Sequence, residues 1–360
     1  MVSRRQHRDN RTAGRIVFVL LLCVLLGACS AAPGIETGEE TEESGYELLK
    51  AGSYKEAAQA LEAEIAGGAG SEENWRYLGI ARMGAGDYEG AAEAFETALE
   101  EAGILPGETE YDINYYLGSC YFKLGRYEDA LEVYDAIIAL RPGDADALQL
   151  RGTVRLQLGD MEGMLEDYDR VIALDGSDYD RLLSIVEVLS DNGYEAEGQQ
   201  YLTEAIESGG DGMSSYDLGR LSYYAGDYET ARVALEQIQS GSDSAVVLML
   251  GRTYEALGDY NYASNVYRTA LASDESNAEV YNQLGLCCMK MSDYESALEA
   301  FESGIAAGDT EFLQGLLFNR IIACEYLGDF AQAREWMEAY VEAYPGDEKA
   351  AREYTFLSTR

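Results

Sequence analysis

The chain has 360 residues, with 26 Lys and Arg against 66 Asp and Glu and a formal net charge of −40. That length gives two or three globular domains or one long array, and hydrophobic and charged fractions of 47% and 26% are those of a folded protein. Four prolines argue against a disordered Pro-rich chain, and the acidic excess excludes nucleic acid and anionic lipid as electrostatic partners.

The N-terminus reads as an export signal. Arg4, Arg5, Arg8, Arg11 and Arg15 precede an apolar run from Ile16 to Leu26, which small residues close. The run of about a dozen residues is too short to cross a hydrocarbon core of roughly 30 Å as a helix. Leu26-Gly27-Ala28-Cys29 resembles the lipobox of bacterial lipoproteins. The resemblance implies cleavage before Cys29, lipidation of its thiol, and anchorage at the extracytoplasmic face of the cell membrane. Loss of residues 1–28 would remove five arginines and one aspartate, leaving 21 basic and 65 acidic residues and a net charge of −44. It would also remove His7, the sole histidine. Triads, general bases and metal sites built on histidine are then excluded. Residues 29–44 hold Pro33, two glycines and five glutamates with few apolar residues, a composition expected of a flexible acidic tether.

Beyond the tether one unit recurs. A Gly-Asp-Tyr-like turn places its third residue at Tyr54, Tyr88, Tyr127, Met161, Tyr194, Tyr228, Tyr260, Tyr294 and Phe330, at intervals close to 34 residues. Nine residues earlier stands a glycine in most units: Gly45, Gly79, Gly118, Gly152, Gly219, Gly251 and Gly285. Three residues after the turn residue comes alanine (Ala57, Ala91, Ala130, Ala231, Ala263, Ala297, Ala333), and four further on a large apolar residue such as Leu61, Phe95, Tyr134, Tyr168 or Phe301. Small sites let two helices approach, and the large residue fills the space beside them. Apolar spacings of three and four, as at Leu117, Cys120, Tyr121 and Leu124, predict helices on both sides of each turn.

These residues resemble the tetratricopeptide repeat family, most fully at Trp75, Leu78, Gly79, Tyr88, Ala91, Phe95 and Ala98. Pro142 and Pro345 close repeats three and nine where that family often has proline. The resemblance implies an all-α fold of about nine helix-turn-helix repeats over residues 38–347, stacked as a right-handed superhelical solenoid. Residues 348–360 would supply a capping helix and tail. Two repeats depart from the pattern. Repeat five has Ile185 at the glycine site and Glu197 at the alanine site, so it is either a looser joint or a slip of register, and repeat nine has Ile321 at the glycine site. Residues 106–110 read as an inserted loop.

Catalytic signatures are sparse. There is no phosphate-binding glycine loop, no nucleophile elbow and no EF-hand spacing, and Asp175-Gly176-Ser177-Asp178-Tyr179-Asp180 reads as an inter-repeat turn. No enzyme activity and no cofactor are expected. Cys120, Cys287, Cys288 and Cys324 fall on first helices of their repeats. Equivalent helices about 8–10 Å apart leave them beyond the roughly 7 Å reach of a disulfide, so free buried thiols are expected.

In tetratricopeptide proteins the first helices line a concave face that holds peptides or partner helices. The corresponding sites are Tyr115 and Phe122 in repeat three, Tyr216, Arg220, Tyr223 and Tyr224 in repeat six, Arg252 in repeat seven and Phe318 in repeat nine. Aromatic residues and arginine are typical of binding hot spots. The resemblance implies a protein or peptide partner with apolar anchors and a carboxylate near Arg220 and Arg252. The carboxylate clamp of chaperone-binding relatives is missing, since Glu73, Arg76, Asp112 and Tyr115 stand where it would start. The function expected is that of a lipid-anchored envelope scaffold; the alternative is an accessory or sensor subunit of an envelope enzyme complex.

Overall fold

The structure, a computed structural model, describes residues 44–102, 107–238 and 243–359. The expected signal, Cys29 and the expected tether up to residue 43 lie outside these residues. Every regular element among them is helical. The chain divides into two compact units, at residues 1–176 and 177–360.

The first unit holds four helix pairs: α1 (Gly45–Lys50) with α2 (Tyr54–Ala66), α3 (Glu72–Gly84) with α4 (Tyr88–Glu101), α5 (Glu108–Lys123) with α6 (Tyr127–Leu140), and α7 (Ala145–Leu158) with α8 (Met161–Leu174). The second holds five: α9 (Tyr179–Asp191) with α10 (Glu195–Gly209), α11 (Ser215–Tyr224) with α12 (Tyr228–Glu236), α13 (Ser244–Ala256) with α14 (Tyr260–Leu271), α15 (Ala278–Lys290) with α16 (Tyr294–Ala307), and α17 (Thr310–Tyr326) with α18 (Phe330–Ala343). A last helix, α19 (Glu348–Leu357), packs on α18.

The recurrent turn has a uniform chemistry. A residue with φ between 60° and 85° ends each first helix; it is glycine in eight repeats and Ser292 in the eighth in chain order. The next N–H closes back on the carbonyl five residues earlier, as from Asp87 to Arg82 (2.8 Å) and from Asp293 to Cys288 (3.0 Å). Where that next residue is aspartate, its carboxylate usually caps the second helix: Asp87 accepts from the Gly90 N–H, Asp160 from Gly163, Asp227 from Thr230 and Asp329 from Gln332. One short sequence thus ends one helix and starts another.

Helices within a pair meet where the glycine faces the large residue sixteen positions on. A Cβ built on Gly118 would lie 2.7 Å from the Tyr134 ring, and one on Gly152 2.6 Å from the Tyr168 ring. Gly79 faces Phe95, Gly251 faces Tyr267 and Gly285 faces Phe301 in the same way. All five of these rings are buried.

Repeat five corrects the register expected from sequence. Asn192 and Gly193 form its turn, and Tyr194 stands at the capping position, its N–H donating to the Leu189 carbonyl (2.8 Å). Every site in its second helix therefore falls one residue later. The small residue is Gly198 rather than Glu197, and the filler is Leu202, fully buried where Tyr201 keeps 8% exposure. Gly198 packs against Val186, the residue now at the glycine site in place of Ile185. Both departures expected at Ile185 and Glu197 thus come from the slip of register. Part of the stretch expected as an inserted loop is helical. Glu108 to Glu110 form the first turn of α5, and the Glu110 carboxylate accepts from the Gly107 N–H (2.7 Å).

Replacing Gly285 by Ala should destabilise the protein by about 1–3 kcal/mol, the usual cost of overpacking a close helix contact. The double substitution Gly285→Ala with Phe301→Leu should recover part of it in chemical denaturation. A loss equal to that of an exposed helical alanine substitution would show that the contact does not constrain the pair.

Candidate functional site

In each unit the first helices of successive repeats touch one another, as in α1–α3 and α3–α5, and in α9–α11, α11–α13, α13–α15 and α15–α17. Second helices pack instead between the first helices of their own and the following repeat. Each unit therefore presents one layer built of first helices, and the sites named from sequence lie in or beside it.

In the first unit, Tyr115 on α5 is half-buried and its hydroxyl donates to Asp144, the N-cap of α7. Burial first, then that bond, push its phenol pKa far above the ordinary value. Its ring forms one wall of an open depression of about 350 Å³ between α5 and α7, with Asp146, Gln149 and Leu150 as the others. Phe122 turns to the end of its own repeat and meets Tyr127 edge-on, ring centroids 5.4 Å apart. Tyr115 and Phe122 thus do different work.

In the second unit, Tyr216 lies under the Arg220 guanidinium, 5.4 Å from the ring centroid. Tyr223 packs its ring on Tyr224 and Tyr228, both at 5.5 Å, and Tyr224 is 47% exposed. The arginines expected to receive a carboxylate already have partners within the chain. Arg220 is ion-paired to Asp180 of the preceding repeat and to Asp217 (3.0 Å), and Arg252 meets Glu279 of the following repeat at 3.3 Å. A ligand carboxylate would have to displace these. Phe318 is corrected as well: it is buried, edge-on to Tyr340, in the cluster formed with Ile321, Met337 and Leu357. It serves the core that α19 covers rather than a recognition surface.

The densest polar cluster lies elsewhere and is saturated. Asp167, fully buried, receives Arg151 on both oxygens (2.9 and 2.5 Å) and Arg155 at 2.9 Å, while Arg151 also reaches Asp135 at 2.7 Å. Such a closed network fixes α6, α7 and α8 and leaves no group directed at a substrate. Sequence spacing did not single it out, because the other repeats place mostly apolar residues, such as Ala94, Val133 and Ala300, at the site of Asp167. Among the described residues no group of His, Cys, Asp and Glu could hold a metal ion, and no helix is long and apolar enough to cross a membrane.

Cys120, Cys287, Cys288 and Cys324 are free and buried. Burial pushes the Cys120 thiol up to about 11 and that of Cys287 to about 12. Folded-state values above the ordinary 9.0 favour the neutral thiols, so their contribution is fully present below about pH 9 and is lost as pH rises towards 11 and 12. At pH 8 iodoacetamide should label these four positions at least tenfold more slowly in the native protein than in urea. Comparable rates would place the thiols in solvent.

Comparison with known proteins follows this geometry. A profile of the tetratricopeptide repeat matches residues 43–103, 77–145, 248–312 and 289–348, together more than half of the chain, and a second tetratricopeptide repeat profile matches residues 117–188. No curated protein matches the chain. Among solved structures, a tetratricopeptide repeat protein from Parabacteroides merdae is 17% identical over 69% of this chain and 98% of its own, with a TM-score of 0.41. MamA is 22% identical over 47% of this chain and 95% of its own, TM-score 0.39. A MamA fragment from Desulfovibrio magneticus is 23% identical over 46% and 93%, TM-score 0.38.

Proposed function

The chain belongs to the tetratricopeptide repeat family, and from that premise we propose that it is a lipid-anchored scaffold of the cell envelope whose first-helix faces hold a protein or peptide partner. The carrying observation is the layer of first helices in each unit, which offers half-buried aromatic rings at Tyr115, Tyr216 and Tyr223 and the exposed ring of Tyr224. Rings already held by neighbours lose little conformational freedom on binding, which favours them as anchors. The acidic second helices, with exposed Glu93, Glu128 and Glu299, keep the array soluble.

The anchor in this reading rests on Leu26-Gly27-Ala28-Cys29 after an apolar run too short to span. Changing Cys29 to Ala should leave an uncleaved precursor that takes up no labelled fatty acid in growing bacteria. Undiminished labelling of that variant would refute the anchor and leave the binding face untouched.

A photo-crosslinking amino acid at Tyr115 or Tyr224 should yield a discrete adduct with the partner in intact cells, and one at Glu128 or Glu299 should not. Adducts confined to the second-helix positions would move the binding surface to the outer layer.

A further inference from the structure

Four residues after the glycine site of each first helix, most repeats place an apolar or aromatic residue, such as Met83, Phe122, Leu156, Tyr223 and Met289. Two repeats place glutamate there: Glu255 on α13 and Glu325 on α17. Glu255 is matched from within its own repeat, because the hydroxyl of the filler residue Tyr267 donates to its Oε1 at 2.7 Å. In repeat nine the filler is Met337, which has no proton to donate. Glu325 Oε1 is buried and meets no donor among the described residues.

The side chain within hydrogen-bonding reach of Glu325 is that of Glu353, on the capping helix α19. Two ionised carboxylates are both acceptors and repel, so a bond between them requires a proton on one. Burial first, then the charge of Glu353 and the bond to it, push the Glu325 carboxyl up from 4.5 to about 7. Among the described residues no cation acts on Glu325. Lys290 of α15 acts on Glu255, Glu302 of α16 acts on Arg320, and Arg320 and Asp329 act on Cys324. Arg320 lies over the Trp336 ring of α18 and Lys349 of α19 over Phe318, while Arg334, Glu335 and Glu338 of α18 and Arg352 of α19 are exposed.

We propose that Glu325 and Glu353 share one proton across the joint of α17 and α19, and that α19 loosens from the last repeat when this proton leaves. The joint is small enough for one charge to matter. α19 has ten residues, and Ala350 and Leu357 are its buried side chains. They close the core of Phe318, Ile321, Met337 and Tyr340, so an opened α19 uncovers an apolar end of the array. With the folded value above the ordinary one, the stabilisation from the pair is fully present below about pH 4.5 and is lost as pH rises to about 7. This device needs neither the lipid anchor nor the first-helix binding face.

Hydrogen exchange of the full chain, divided by the intrinsic rate at each pH, reads the joint directly. The amides of residues 351–357 should open at least tenfold more at pH 7.5 than at pH 5.5, while those of α16 change less than about threefold. Glu325→Gln sets an amide donor against Glu353 in place of a second charge, and should keep α19 protected to within about twofold at both pH values. Equal opening of the natural chain at the two pH values would overturn the proposal, as would a tenfold step that survives in Glu325→Gln. Carbon-13 NMR of labelled glutamate carboxyls adds a readout that a folding defect does not imitate. The signal missing from the Glu325→Gln spectrum should titrate above pH 6 in the natural chain. Titration of that signal at the ordinary carboxylate value, about 4.3, would equally refute the shared proton.

Discussion

The structure depends on one steric condition: a hydrogen in place of a side chain where two helices cross, with a bulky group filling the room so made. Gly79 against Phe95, Gly118 against Tyr134 and Gly285 against Phe301 are the same contact in three different repeats. Both partners are needed. A Cβ on the glycine would collide with the ring, and a smaller group opposite would leave a void, costing about 24 cal/mol for each Å³ of cavity. Repeat five departs from it: Val186 stands on its first helix, and a Cβ on Gly198 of its second would make only ordinary contact, 3.4 Å from the Val186 side chain.

Charge is handled differently inside and outside this frame. The buried Asp167 is matched by Arg151 and Arg155, and there the loss of one partner would leave an uncompensated ion in low dielectric. Half-buried arginines of the first helices are spent on carboxylates of adjacent repeats, as Arg76 is on Asp112 and Arg252 on Glu279. These pairs fix the relative rotation of neighbouring first helices more than they stabilise the fold, since partly exposed pairs are each worth about 1 kcal/mol or less.

What the sequence disclosed follows from the range of each interaction. Turn residues, capping aspartates and the glycine-to-ring spacing of sixteen act within one repeat, so periodicity exposes them. The misplacement in repeat five arose because an aromatic residue, Tyr194, stands where other repeats mostly have aspartate, and a match by residue type slid the register by one. The status of Phe318 and of Arg220 was not legible. It depends on α19 in the first case and on Asp180, forty residues away, in the second. Pattern within a repeat says where a side chain starts; what it meets is decided by the next repeat.

Because the glycine-to-ring contacts at a spacing of sixteen close within one helix pair, no repeat borrows a neighbour's residue to complete that part of its core. A gene segment encoding one pair can in principle be duplicated or deleted in frame and yield a chain whose internal contacts remain whole. Only the seams, where pairs such as Arg252 with Glu279 must find a new match, would need repair. The length of such an array is thus free to vary in evolution, and the places where variation is checked are the joints between pairs and not their interiors.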